Sequence, residues 1–226
     1  MNIISKYDTP FRLIKVYKPS GSDKTRVILF LDITGKMDVA ANILMDFKKF
    51  SSFERIELIK PIKDGFIVDP YSFPLLFVCE WAVIFRKTTY KTFLMKMREK
   101  YGVSFEAILY VTGFEIGHNA YHSHKKLFGD NPNVLLNAGC ELFKALGYGI
   151  LEFVKFKHGK AINRVYNNFE CELSRNSGKP SSHFIRGMIA GWDVASWNVH
   201  MNKIRVTEMK CIAKGDPYCE FHVVIS

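Results

Sequence analysis

The chain has 226 residues, 48% of them hydrophobic and 24% charged, a globular balance that excludes a disordered polymer and suits one large domain or a domain with an appendage. No apolar run reaches the about 18 residues of a membrane span. The net charge of +10 asks whether an anionic partner exists.

From the N-terminus, Met1–Gly21 lacks the basic-then-apolar order of a secretory signal. The expected compartment is therefore cytoplasmic, where thiols stay reduced. Arg26–Ile33 is an apolar run of strand length, and Gly35 breaks it. Val39, Ile43, Leu44 and Phe47 then recur at helical steps, with Asp38 placed to cap that helix. Phe53–Pro61 alternates as a half-buried strand would. Residues 1–74 thus read as a small βαβ unit, and the turn-rich Ile62–Pro74 is the expected boundary. Val78–Arg86 reads as a buried strand or as the start of the next helix.

From Thr88 the chain turns helical. Arg86–Lys100 is the densest basic stretch, with Tyr90, Phe93 and Met97 at helical spacing, so its lysines line the wet face of an amphipathic helix. No nucleic-acid motif accompanies them, and nucleic acid is not the expected partner. A second helix covers Ser104–Phe128 and carries Gly113 and Gly117 on one face. That spacing lets a neighbouring helix or a ligand approach the backbone, because no Cβ intervenes. A third helix follows, capped by Asn131 or Asn133 and stopped at Gly147. Beyond Gly149, strands flank a hairpin tip at His158-Gly159, and the second strand carries Val165, Phe169, Cys171 and Leu173 on one face, so Cys171 reads as a core residue. A fourth helix begins at His183 and again has glycines four apart, at Gly187 and Gly191. Two final strands make a terminal hairpin.

The chemistry concentrates in that hairpin. Of five cysteines (Cys79, Cys140, Cys171, Cys211 and Cys219), the last two sit eight apart across a Gly-Asp-Pro turn, with Glu208 three residues upstream. The spacing leaves a metal site, a cross-strand disulfide and a pair of core thiols all open. Two thiolates and a carboxylate suit four-coordinate zinc, given a fourth ligand. In a straight strand Glu208 and Cys211 point to opposite faces, so a shared ion requires a bulge near Met209.

The runs SHFIRGMIAG and TEMKCIAKGDPYCEF resemble the C-terminal signature of the 4-vinyl reductase domain family. Its elements fall here on Gly187, Gly191, Glu208, Cys211, Gly215, Asp216, Cys219 and Phe221, and the resemblance covers residues 75–226. It implies an α+β fold, with helices packed on an antiparallel sheet as in nitric-oxide-sensing haem domains and TRAPP tethering subunits, usually a homodimer around an apolar ligand cavity. In the aromatic-sensing regulators that carry this domain, the Glu and both Cys bind a structural zinc together with a cysteine just before the glycine helix. The corresponding stretch here, PSSHFIRG, has no cysteine, so His183 completes the expected set of Glu208, Cys211, Cys219 and His183.

Tyr110, Phe114 and His118 on one helical face, with Trp192 beyond the second glycine pair, are the expected pocket residues for a small apolar ligand. Aromatics at helical spacing also fit a plain core. The expected function is a ligand-binding sensor or accessory module that acts through a partner. The alternatives are a reductase or accessory enzyme for a vinyl-bearing, tetrapyrrole-like substrate, and a ligand-free dimerising scaffold. The chain shows neither a dinucleotide fingerprint nor an iron–sulfur cysteine cluster, no residue earns a catalytic role, and the reading leans away from an enzyme.

Overall fold

A computed structural model describes residues 5–19, 21–63, 65–78 and 80–226; Cys79 lies outside them. The chain divides into two compact units, Met1–Val83 and Ile84–Ser226, where the sequence placed the boundary at Pro74.

In the first unit, β1 (Phe11–Tyr17) pairs antiparallel with β2 (Arg26–Leu31), with Val16 opposite Val27 and Tyr17 opposite Arg26. Helix α1 (Met37–Lys48) follows, and Asp38 falls in its first turn, not at its cap. Among the described residues of this unit, Ile28, Ala40 and Ile43 are the buried apolar ones. The expected strand–helix–strand order is corrected to strand–strand–helix. Residues 53–61 form no strand: the Phe53 ring packs edge-on against Phe47 at 5.8 Å and lies 6.4 Å from Phe50, and Leu58 is half exposed. The strand that does pair with β2 precedes it. Short strands β3 (Leu76–Phe77) and β4 (Glu80–Trp81) pair with each other, which keeps this segment in the first unit. Trp81, Val83, Ile84 and Phe85 are exposed, so the described residues 80–86 of the expected Val78–Arg86 element are neither a buried strand nor part of a helix.

The second unit has the α+β architecture expected of it. Helices α2 (Lys87–Tyr101) and α3 (Val103–Phe128) are separated by Gly102, whose φ of 51° is left-handed. Asn131 caps α4 (Pro132–Ala145): its side chain accepts from the backbone N–H of Asn133 at 3.0 Å and of Val134 at 3.4 Å. Strands β5 (Ile150–Lys157), β6 (Lys160–Tyr166), β7 (Ile204–Lys210) and β8 (Cys219–Ile225) form one antiparallel sheet in the order β5-β6-β8-β7. Alternate residues Ala161, Asn163 and Val165 on β6, and Cys219, Phe221 and Val223 on β8, are buried and lie directly opposite one another in register.

Helix α5 (His183–Trp197) packs on this face and is buried on nearly every side, as a helix sandwiched between two layers must be. Its second partner is α3. A Cβ placed on Gly113 or Gly117 would run into the carbonyl oxygens of Phe184 and Met188, and one on Gly187 or Gly191 into those of Tyr110 and Phe114. Both glycine pairs therefore serve one purpose: the two helix backbones touch. Among the described residues no helix is long and apolar enough to cross a membrane.

This contact predicts opposite signs for one substitution at two helical glycines. Gly191→Ala has only backbone to displace and is expected to cost about 3 kcal/mol. Gly139→Ala on α4 meets the Trp192 ring at an ordinary 3.6 Å and is expected to gain up to about 1 kcal/mol from helix propensity. Urea denaturation of the two variants checks the contrast; similar shifts would sink the close-contact account.

Candidate functional site

The terminal hairpin contains the irregularity that a shared site needs. The β7–β8 register slips between Glu208 and Lys210, at Met209, so Glu208 and Cys211 both reach the buried side. The Gly-Asp-Pro turn then explains itself. Asp216 accepts from the Cys211 backbone N–H at 2.8 Å and returns its own N–H to the Cys211 carbonyl at 3.2 Å. Gly215 takes a φ of 104°, which favours glycine. The knuckle thereby presents Cys211 beside Cys219, and the Ile212 N–H donates to the Cys219 sulfur at 3.4 Å.

The fourth residue of the cluster is Cys171. Ligating atoms of Cys171, Glu208, Cys211 and Cys219 all lie within 4.8 Å of one another. Sequence periodicity placed Cys171 in the core of a long strand, and it is indeed fully buried. However, β6 ends at Tyr166, where Asn167 adopts a left-handed φ of 50°, and Cys171 opens a one-turn 3₁₀ helix, Cys171–Ser174. Asparagine tolerates that conformation better than most residues, so the Asn167-Asn168 pair was the available signal. His183 lies outside the cluster: its Nε2 faces Glu106 on α3 at 3.6 Å, and burial lowers its pKa. The position expected to supply a ligand instead supplies a hydroxyl. Ser182 Oγ lies 2.8 Å from the Cys171 sulfur, 3.4 Å from that of Cys219 and 3.9 Å from that of Cys211. The Asn168 amide donates to Cys219 as well, at 3.4 Å.

These sulfurs are not disulfide-bonded. Cys171 and Cys211 are 3.6 Å apart, far beyond the about 2.05 Å of an S–S bond. The spacing is close to the about 3.8 Å edge of a tetrahedron with metal–sulfur bonds of about 2.3 Å. Among the described residues Glu208 Oε1 is buried without a hydrogen-bond partner, as a carboxylate oxygen held for a cation would be. Hydrogen bonds from Cys171 and Cys211 lower the Cys219 thiol to about 4, while the contacts with Cys211 and then Cys219 push Cys171 upward. Burial, then Cys211, raises Glu208 to about 8. One thiolate held among neighbouring proton-bearing ligands is a set that sheds protons when a cation binds. Three sulfurs and one carboxylate oxygen fit a closed zinc site.

Glu170, next to Cys171, is fully buried and caps α5 from outside, accepting from the N–H groups of Phe184 and Ile185 at 3.1 Å each. Arg98 on α2 pairs with it and also donates to the Ser181 carbonyl at 3.0 Å. Burial pushes the Glu170 carboxyl up to about 7 despite this support.

A second feature lies across the core. Helices α3, α4 and α5 and strand β5 border a partly open apolar cavity lined by Gly117, His124, Gly139, Phe153, Trp192 and Asp193, among others. It offers about 60 Å³ to the centres of water-sized spheres, where one water needs about 10–15 Å³, so it can take several waters or a small ring. Trp192 is its main wall. Its ring packs at 5.2 Å against both Tyr121 and Phe153, and its Nε1 donates to His124 Nδ1 at 3.5 Å. Of the four expected pocket residues, only Trp192 lines this space. Phe114 packs in the core with Ala190 and Val194, Tyr110 lies against that cluster under the Arg186 guanidinium, and His118 stacks on Phe114. The glycine contact explains the difference: it turns the Tyr110–His118 face of α3 onto α5, and α3 borders the cavity through Gly117, Ala120 and His124.

A family model for the 4-vinyl reductase domain matches residues 161–225, the span that holds β6, α5 and the whole cluster. Over 124 residues the chain is 34% identical to the uncharacterized protein MJ0150 of Methanocaldococcus jannaschii, covering 55% of this chain and 67% of that protein. The chain belongs to the 4-vinyl reductase domain family. A second M. jannaschii protein, MJ1642, is 28% identical over 129 residues, covering 57% of this chain and 70% of the other. Among solved structures, the phenol-responsive sensory domain of the transcription activator PoxR superposes with a TM-score of 0.57 at 15% identity, covering 65% of this chain and 77% of that one. That likeness establishes a shared fold for the family domain.

The buried ion pair provides a test of how α2 is held. Arg98→Met strands Glu170 without a counter-charge and is expected to cost about 3–5 kcal/mol, much of which the double variant with Glu170→Gln recovers. Equal losses in the single and double variants, measured by urea denaturation, would show that the pair itself contributes little.

Proposed function

We propose that this family domain is a sensor or accessory module that binds a small apolar molecule, with a structural zinc ion held by Cys171, Glu208, Cys211 and Cys219. The carrying observation is the cavity: an aromatic-walled space beside the most buried helix of the fold, with Trp192 and Asp193 of that helix on its lining. The PoxR domain, which shares the fold, was solved with phenol, and this supports reading the space as a ligand site. Bound zinc would supply cross-linking rather than catalysis. Its four ligands come from the turn after β6, the β7 bulge, the knuckle and the start of β8, and a closed four-ligand site leaves no open position for substrate. Those ligand-bearing segments pack in one core with Phe143, Met188 and Ile189, which border the cavity. Ligand occupancy would thus act on α5 and on the α3–α4 walls, and a partner would read the resulting stiffening. The reading gives no residue a catalytic role.

Two experiments test this. Metal analysis of protein purified without a metal-affinity tag is expected to find about one zinc per chain, lost in Cys171→Ser and kept in His183→Ala. Metal lost in His183→Ala but kept in Cys171→Ser would overturn the ligand assignment. For the cavity, Gly139→Leu places a side chain into the space beside Trp192. Small aromatic compounds that perturb the amide NMR spectrum of the wild type near Trp192 are expected to lose at least tenfold in affinity. Perturbations that persist unchanged in that variant would place binding elsewhere.

A further inference from the structure

Ser182 is the anomaly of the sulfur cluster. It is the N-cap residue of α5, a position where a serine hydroxyl ordinarily accepts from the first N–H groups of the helix, yet its side chain makes no capping bond. Glu170 accepts from Phe184 and Ile185 in its place, although this buries a carboxyl completely. The hydroxyl of Ser182 is itself fully buried and has the sulfurs of Cys171, Cys211 and Cys219 within 3.9 Å.

Asn168, fully buried as well, sets the direction of that hydroxyl. Its Oδ1 accepts from the Glu170 backbone N–H at 3.1 Å, which fixes which end of the amide carries the hydrogens. The two hydrogens of Nδ2 then divide between Ser182 Oγ at 3.2 Å and the Cys219 sulfur at 3.4 Å. A serine hydroxyl has a single hydrogen. With an oxygen lone pair taken by Asn168, that hydrogen is directed at sulfur, and Cys219 accepts it at 3.4 Å. The Ile212 N–H is a third donor to the same sulfur, also at 3.4 Å. Three thiolates and a carboxylate around one divalent ion leave a buried site net negative, and such a charge is stabilised by donors fixed in its direction.

We propose that Ser182 is the positioning residue of the metal site, an outer donor rather than a ligand, whose O–H, oriented by Asn168, holds the Cys219 sulfur and raises the affinity of the cluster for zinc. This rests on the zinc reading above and adds to it the residue that tunes the ligands. Because Ser182 opens α5, the same bond ties the sulfurs to the helix that borders the cavity.

Ser182→Ala removes the donor and leaves all four ligands in place. With the full chain, zinc dissociation constants from competition with a chelator are expected to weaken about 10–100-fold in this variant, at the wild-type stoichiometry. Cobalt in place of zinc reads the bond directly. A hydrogen bond lowers the energy of the sulfur donor orbital, so its loss is expected to move the sulfur-to-cobalt charge-transfer band to longer wavelength, which a change of packing alone would not do. If Ser182→Ala does not fold, the wild type loaded with cadmium-113 still decides: in NMR the Ser182 hydroxyl proton should correlate with the metal through the Cys219 sulfur. An unchanged zinc affinity, an unmoved band or an absent correlation would overturn the donor role while leaving the zinc site intact. Metal lost outright in Ser182→Ala would make the hydroxyl a ligand and overturn it too. Wild-type protein that binds no zinc would overturn both readings.

Discussion

The backbone contact between α3 and α5 is the constraint on which the rest of the second unit depends. Two helices that carry ordinary side chains along their seam pack about 8–10 Å apart; with Gly113 and Gly117 facing Gly187 and Gly191, these two have carbonyl oxygens where side chains would stand. The close approach lets α5 fill the space between α3 and the sheet, and it explains why nearly all of α5 is buried. It also fixes which face of α3 is spent on packing. Phe114 goes into the core, and the cavity is bordered by Gly117, at the edge of that contact, and by Ala120 and His124 beyond it.

The same helix is tied at its N-terminal end by polar groups. Ser182, which would ordinarily cap α5, directs its hydroxyl at three cysteine sulfurs, and the capping duty passes to Glu170. Glu170 is held in turn by Arg98 from α2. Cap, ion pair and sulfur cluster thus form one connected polar region inside an apolar core, where each unsatisfied group would be expensive. The cluster draws on four chain segments that share no secondary-structure element, which is what a cross-linking site requires. Asp193 stands apart from this region: among the described residues its buried carboxyl has one side-chain partner, Asn163, and its Oδ1 has none.

Much of this was legible in the sequence. Three- and four-residue apolar steps, with Gly102, Asn131 and Gly129 as punctuation, place α2 to α4 within a residue or so of their observed ends. A Glu-x-x-Cys step cannot share one face of a straight strand, so a site shared by Glu208 and Cys211 requires a bulge near Met209, and the register slips there. Where the reading failed, a local pattern was overridden by a tertiary partner. Phe53–Pro61 alternates like a strand, yet it has no strand beside it, and Phe53 closes over α1. Phe169, Cys171 and Leu173 continue the period of β6 past Asn167, where the backbone has already turned.

The sequence by itself determined the helix ends of the second unit and its terminal hairpin, because periodicity, caps and turns are short-range physics; its α+β class and three members of the sulfur–carboxylate cluster came from the family resemblance of the C-terminal motif, not from spacing. Only the tertiary structure decided that Cys171, and not His183, joins that cluster, that the two glycine pairs face each other, and that Asp193 borders the cavity. Each of these depends on which distant segments meet, and forty residues of separation between Cys171 and Cys211 leave no trace in local spacing.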